Sequence, residues 1–197
     1  MNTLEPLLNN IRRCTLCSGL PLGPKPILQA GSKSRILIAG QAPGARTHER
    51  GRPFDDASGD RLRRWLGVDK DTFYDANHFA IIPMGFCYPG TKINNGRRQG
   101  DLPPRRECAT AWRAQLLASL PRIELTLIIG RYALDWHLPA NTGLTNMLDD
   151  WQLRWPAAMV LPHPSPRNNL LLTKHCEFEQ RQVPALQRRV REILAIE

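Results

Sequence analysis

The chain has 197 residues, 42% of them hydrophobic and 7% aromatic, which is enough apolar material for one sizeable core. Lys and Arg (27) outnumber Asp and Glu (18) to give a net charge of +9, an excess that points to a polyanionic partner, nucleic acid before a membrane surface. No run approaches the ~20 consecutive apolar residues of a membrane span, and residues 1–14 place their acid before their basic residues, the reverse of a signal peptide. The expectation is one cytoplasmic, monomeric domain over residues 1–197.

In chain order, residues 3–13 carry Leu4, Leu7, Leu8 and Ile11 on one helix face. Residues 18–34 hold three prolines and read as an extended connector. The short apolar run Arg35–Ala39 reads as a buried strand. It feeds a long Gly/Pro loop, GQAPGARTHERGRPFDDASG, and then a helix near 58–67 with Leu62, Trp65 and Leu66 spaced for one face. Residues 77–82 are a second strand, and 88–104 a Gly/Pro/basic loop too long for a mere connector. A helix over 107–120, a third strand over 125–129 and helices over 132–137 and 141–150 follow. A fourth strand at 157–161 leads into the loop Pro162–Asn169, and 175–195 is a basic amphipathic helix. Strands alternating with helices predict an α/β fold, with three α/β/α layers around a central four-stranded parallel sheet. In such a fold, loops at the carboxyl ends of the strands build the site.

There are five cysteines: Cys14, Cys17, Cys87, Cys108 and Cys176. The two-residue spacing of Cys14 and Cys17 lets both thiolates reach one metal or cluster. Cys87 and Cys108 flank a single loop and are placed to complete a four-thiolate site. Five unrelated buried thiols is the competing reading. Cys176 stands apart, as a buried or free thiol.

Several of these segments resemble a known family. GQAPGARTHERGRPFDDASG is similar, without a gap, to the first motif of the iron–sulfur (family 4) uracil-DNA glycosylases, and HPSPRNN resembles the superfamily's second motif. Cys14, Cys17, Cys87 and Cys108 follow the order of that family's cluster ligands, which implies a structural 4Fe–4S cluster. The resemblance implies a uracil-DNA glycosylase-like fold, DNA as partner and DNA repair as the process. Gln41 stands where the family has its motif acid, and Ala42 where other uracil-DNA glycosylases carry a catalytic Asp. Thr47 and His48 replace an acidic pair, and Pro83 occupies the place of a uracil-reading asparagine.

N-glycosidic hydrolysis builds positive charge on the sugar and negative charge on the departing base, which must first leave the stack. Phe54, after Pro53, is the candidate stacking platform, a contact worth about 1–3 kcal/mol. His163, between Pro162 and Pro164, is the candidate donor to the leaving base; one preorganised donor is worth about 2.7–4 kcal/mol. Gln41 and His48 are the candidates for positioning water, and the Gln41–Ala42 backbone for holding the base. Glu49, Asp55 and Asp56 are further carboxylates on the same loop. Ser165, Arg167, Arg97 and Arg98 are the candidate DNA contacts, with Arg105 and Arg106 beside them. A DNA glycosylase for a deaminated or damaged base is the first reading. A non-catalytic DNA- or damaged-base-binding member is the second.

Overall fold

A computed structural model of the protein describes residues 4–139 and 143–195. Six strands form in it: β1 (Ile36–Ala39), β2 (Phe79–Ile81), β3 (Thr91–Asn94), β4 (Arg97–Asp101), β5 (Leu125–Ile129) and β6 (Ala158–Leu161). The helices are α1 (Leu4–Arg12), α2 (Ala45–Arg50), α3 (Ala57–Leu66), α4 (Lys70–Tyr74), α5 (Arg106–Ala118), α6 (Arg131–His137), α7 (Leu144–Asp149), α8 (Asn169–Lys174) and α9 (Val183–Leu194). Of the helices expected over 3–13 and 141–150, residues 3, 141 and 142 lie outside the described residues.

Strands β2-β1-β5-β6 form one four-stranded sheet, parallel throughout. All four residues of β1 are buried, because helices cover both faces and no solvent face demands polar alternation. Ile36 and Ile38 pack with Leu62, Trp65 and Leu66 of α3 and Leu186, Val190 and Ile193 of α9. Leu37 packs the opposite way, with Leu4, Leu8 and Ile11 of α1 and Leu116 of α5. Ala39 shares that side with Ala133 and Leu134 of α6. The expected three layers are therefore present. Burying a side chain such as Leu62 or Leu66, both at 0% exposure, contributes about 1.5–3 kcal/mol.

The connector expected over 18–34 has a structural duty: Gln29 exchanges two backbone hydrogen bonds with Ile81, at 3.0 and 2.7 Å, which occupies the free edge of β2. Arg113 of α5 is fully buried and donates to the carbonyls of Ile82 (3.0 Å) and Pro83 (3.3 Å) and to Nε2 of His137 (2.7 Å). It thereby holds the chain as it leaves β2.

Three local expectations are corrected. The first motif is not loop throughout, since Ala45–Arg50 closes a helix that ends at Gly51 in the left-handed conformation. Residues 88–104 are not a loop either: β3 and β4 pair as an antiparallel hairpin. Its two-residue turn, Asn95–Gly96, has φ of 48° and 70°, the positive pair that a type I′ turn needs. The tail is divided as well. A π-helical turn, Phe178–Gln182, precedes α9, whose second residue is Pro184; proline lacks the amide hydrogen that a continuous helix would require there.

The first part of α3 lies against the chain at Phe54. A Cβ on Gly59 would sit 1.7 Å from the Phe54 carbonyl oxygen. Gly59→Ala is therefore expected to destabilise the protein by about 1–3 kcal/mol or more, measured by denaturant unfolding. A second expectation concerns pH. Burial, with the Arg113 guanidinium adding to it, lowers the His137 pKa from the ordinary 6.5 to about 4. The unfolded chain takes a proton that the native state refuses, so this contribution is complete above pH 6.5 and is lost as pH falls toward 4. Thermal melts from pH 7.5 down to pH 4 should show a steeper loss for wild type than for His137→Gln, which keeps an acceptor for Arg113.

Candidate active site

The strand order reverses direction between β1 and β5, and a crevice at the carboxyl ends of the strands is the expected place for a ligand. There the two motif loops meet. A solvent-open cleft of about 910 Å³ is lined by Gln41, Ala42, Pro43 and Phe54 from the loop after β1 and by His163, Ser165 and Arg167 from the loop after β6. Pro83, at the end of β2, forms part of the same wall.

Phe54 lines the cleft from an uncommon backbone conformation, φ 53°. A non-glycine residue there costs of order 1–3 kcal/mol and persists only when its surroundings impose it. The surroundings are specific. Arg63 donates to the Phe54 carbonyl at 3.2 Å, Gly59 packs on that same oxygen, and the ring meets Phe73 edge-on at 6.4 Å between centroids. The ring also lies against Gly40 at the end of β1, its Cζ 3.5 Å from the place a side chain there would take. The result is a half-buried aromatic face held flat at one side of the cleft.

His163 follows β6 directly and is clamped from both sides of its chain. The Asn168 side chain donates to its carbonyl at 2.8 Å, and the Ser165 amide donates to its Nδ1 at 3.2 Å. A ring nitrogen that accepts carries no proton, so the neutral ring is the Nε2–H tautomer. Burial lowers its pKa, opposed by the negative charges of Asp56 and Asp101. At neutral pH His163 is an uncharged hydrogen-bond donor facing the cleft.

Gln41 lines the cleft, and its side-chain amide has no hydrogen-bond partner among the described residues. His48 does not line it. Its position on α2 turns the ring toward Tyr88, 6.2 Å between centroids, and burial with nearby Lys25 lowers its pKa. Glu49 is likewise absent from the lining, and Asp55 is ion-paired with Arg50, Arg52 and Lys70. The cleft's carboxylates are instead Asp56 and Asp101. Asp56 caps α3, accepting the Gly59 amide at 3.0 Å. Asp101 comes from β4 and was not visible as a site residue in the sequence; its signal was the Asn95–Gly96 turn, which sets the hairpin register. Arg97 and Arg98 are exposed on β4 of that hairpin, and the Arg167 guanidinium lies against its Gly100.

Cys14, Cys17, Cys87 and Cys108 line a second cavity together, with Arg105 among them. Trp112 donates its indole N–H to the Cys14 sulfur and the Phe86 amide donates to the Cys108 sulfur, each at 3.3 Å. Burial pushes the Cys108 thiol up to about 12, and raises Cys17 and Cys87 as well. Arg105, expected on a DNA-facing surface with Arg106, donates to the Gly19 carbonyl at 3.2 Å inside this wall. Among the described residues, no group of three His, Cys, Asp or Glu is arranged to hold a single metal ion. Cys176 is exposed and stands away from this cavity. No described helix is long and apolar enough to cross a membrane.

The solution structure of a protein from Methanosarcina acetivorans, provisionally named a uracil DNA glycosylase, aligns with 14% identity and a TM-score of 0.49, over 83% of this chain and 97% of that one. The family model of the uracil DNA glycosylase superfamily matches residues 28–187. That span includes the motif loop after β1, the hairpin and the loop of His163, so the chain belongs to the uracil DNA glycosylase superfamily.

Proposed function

We propose that the protein is a DNA glycosylase of the iron–sulfur type, hydrolysing the N-glycosidic bond of a deaminated or damaged base in DNA. The observation that carries this reading is the meeting of Phe54 and His163 across one cleft, the first as a flat apolar face and the second as a neutral N–H donor. A base turned out of the helix stacks on Phe54. Its oxygen, gaining negative charge as the bond breaks, accepts a hydrogen bond from the Nε2–H of His163. Pro83 offers no side-chain donor or acceptor at its part of the wall, so readout of the base edge falls to the backbone and to Gln41. Discrimination among deaminated bases is accordingly weak, or directed at a base other than uracil. Ser165, Arg167, Arg97 and Arg98 contact phosphates around the cleft, which makes binding steeply salt-dependent.

The four thiols that line one cavity would suit a structural 4Fe–4S centre, which is the second part of the proposal. Such a centre spreads its ligands over a larger body than a single ion does, its thiolates are deprotonated when bound, and N–H donors to the sulfurs are among the usual tuning contacts. Cys14, Cys17, Cys87 and Cys108 would hold it, tying the end of α1 to the start of α5. Arg105 adds positive charge beside the sulfurs.

The direct test is single-turnover excision on oligonucleotides carrying uracil, hypoxanthine or xanthine. Wild type is expected to release at least one of them, and His163→Ala to slow release by roughly 10²–10³-fold with DNA binding little changed. No release from any substrate, with tight DNA binding retained, would support the binding-protein reading instead. For the second part, protein purified anaerobically should contain iron and acid-labile sulfide in equal amounts, and Cys108→Ser should lower both the iron content and the melting temperature. Iron-free protein that melts at the same temperature would contradict the centre.

A further inference from the structure

Hydrolysis needs a group that takes a proton from the attacking water, and the part of the first motif ahead of Phe54 supplies none among the residues that line the cleft. Gln41 has no basic atom at neutral pH, Ala42 has no polar side chain, and His48 is turned toward Tyr88. Two carboxylates line the cleft, Asp56 and Asp101. Both lie close enough to His163 to oppose the loss of its proton.

Their surroundings differ. Asp56 is engaged by the Gly59 amide as the cap of α3. Asp101 is solvent-exposed at the end of β4, where water reaches it in the free protein. Directly opposite it in the hairpin is Thr91, whose hydroxyl donates to Asp101 Oδ1 at 3.3 Å. Thr91 has a single hydroxyl hydrogen, so in its contact with Tyr88 the phenol is the donor. Tyr88 is 5% exposed. A buried phenol thus anchors a two-step chain that orients the carboxylate, the arrangement in which a base is itself held by a further group. The other oxygen, Oδ2, points at the first motif, 3.2 Å from the position a Cβ would take on Gly44. That places it on the turn that also carries the unpartnered amide of Gln41.

We propose that Asp101, delivered by the β3–β4 hairpin, is the catalytic base of this site, with Gln41 holding the water that it deprotonates. The proposal rests on the glycosylase reading. The bond between C1′ of the sugar and the base nitrogen breaks, and its electron pair leaves with the base, whose oxygen is bonded by His163. The water oxygen forms the new bond to C1′ and its proton passes to the Asp101 carboxylate. Asp101 then releases the proton to solvent and the base anion takes one up, so the products are the free base and an abasic sugar.

The experiment is single-turnover excision by Asp101→Asn and Asp56→Asn beside wild type, on whichever base wild type releases. Asparagine is itself a good helix cap, so Asp56→Asn removes the second carboxylate while keeping α3 closed. Asp101→Asn is expected to slow excision by roughly 10²–10⁴-fold without weakening DNA binding, and Asp56→Asn to cost far less. Added formate should restore part of the rate to Asp101→Ala and none to His163→Ala. Asp101→Asn within a few fold of wild type overturns the proposal and leaves the glycosylase reading standing. So does a larger loss in Asp56→Asn than in Asp101→Asn. A defect in Asp101→Asn with no formate response in Asp101→Ala reassigns Asp101 to holding the hairpin. Wild type that releases no base removes the reaction itself, and the catalytic role with it.

Discussion

The cleft depends on how closely α3 approaches the backbone of Phe54. Only a residue without Cβ fits where the helix meets that carbonyl, and the same oxygen receives a hydrogen bond from Arg63, which is itself nearly buried. This clamp holds Phe54 in a left-handed conformation that a free chain would leave. The core packing of Leu62, Trp65 and Leu66 against the sheet fixes the helix, and the helix fixes the aromatic face. Packing energy generated deep in the protein is thus converted into position at its edge.

On the opposite wall the control is electrostatic. His163 sits where burial disfavours a charged ring and the Ser165 amide selects which nitrogen keeps the hydrogen. A neutral donor suits a departing base, since it meets developing negative charge without binding other anions in advance. The carboxylates of Asp56 and Asp101 temper the burial effect, and in the proposed reaction they would add negative charge favourable to an oxocarbenium-like centre. Of the basic residues, Arg167 lines the same cleft, while Arg97 and Arg98 are exposed on the hairpin.

Much of this was legible in the chain because the relevant signals are local. The runs at β1 and β6 are continuous and apolar and β5 is broken only by Thr126, as expected of strands covered on both faces. The Gly/Pro content of the two loops marked them as ligand-facing, and the structure brings both to one cleft. The hairpin was missed because Lys92, Asn94, Arg97 and Arg98 give it no apolar alternation, although Asn95–Gly96 is itself a strong turn signal. Asp101 could not be found without that register, since its place depends on pairing with Thr91 across the hairpin. His48 misleads in the opposite way. It is close to Gln41 in sequence, yet one turn of α2 directs its ring to Tyr88.

The loops after β1 and β6, with the hairpin between them, are proposed to form one site for an extruded nucleotide. Titrating isotopically labelled protein with a duplex containing a stable abasic-site analogue, and following backbone amide resonances, tests it directly. The largest shifts are expected on Gln41, Gly44, Phe54, Asp101, His163 and Arg167, while undamaged duplex should move chiefly the amides around Arg97 and Arg98. Shifts that leave Phe54 and His163 unmoved while mapping to another face of the protein would contradict it.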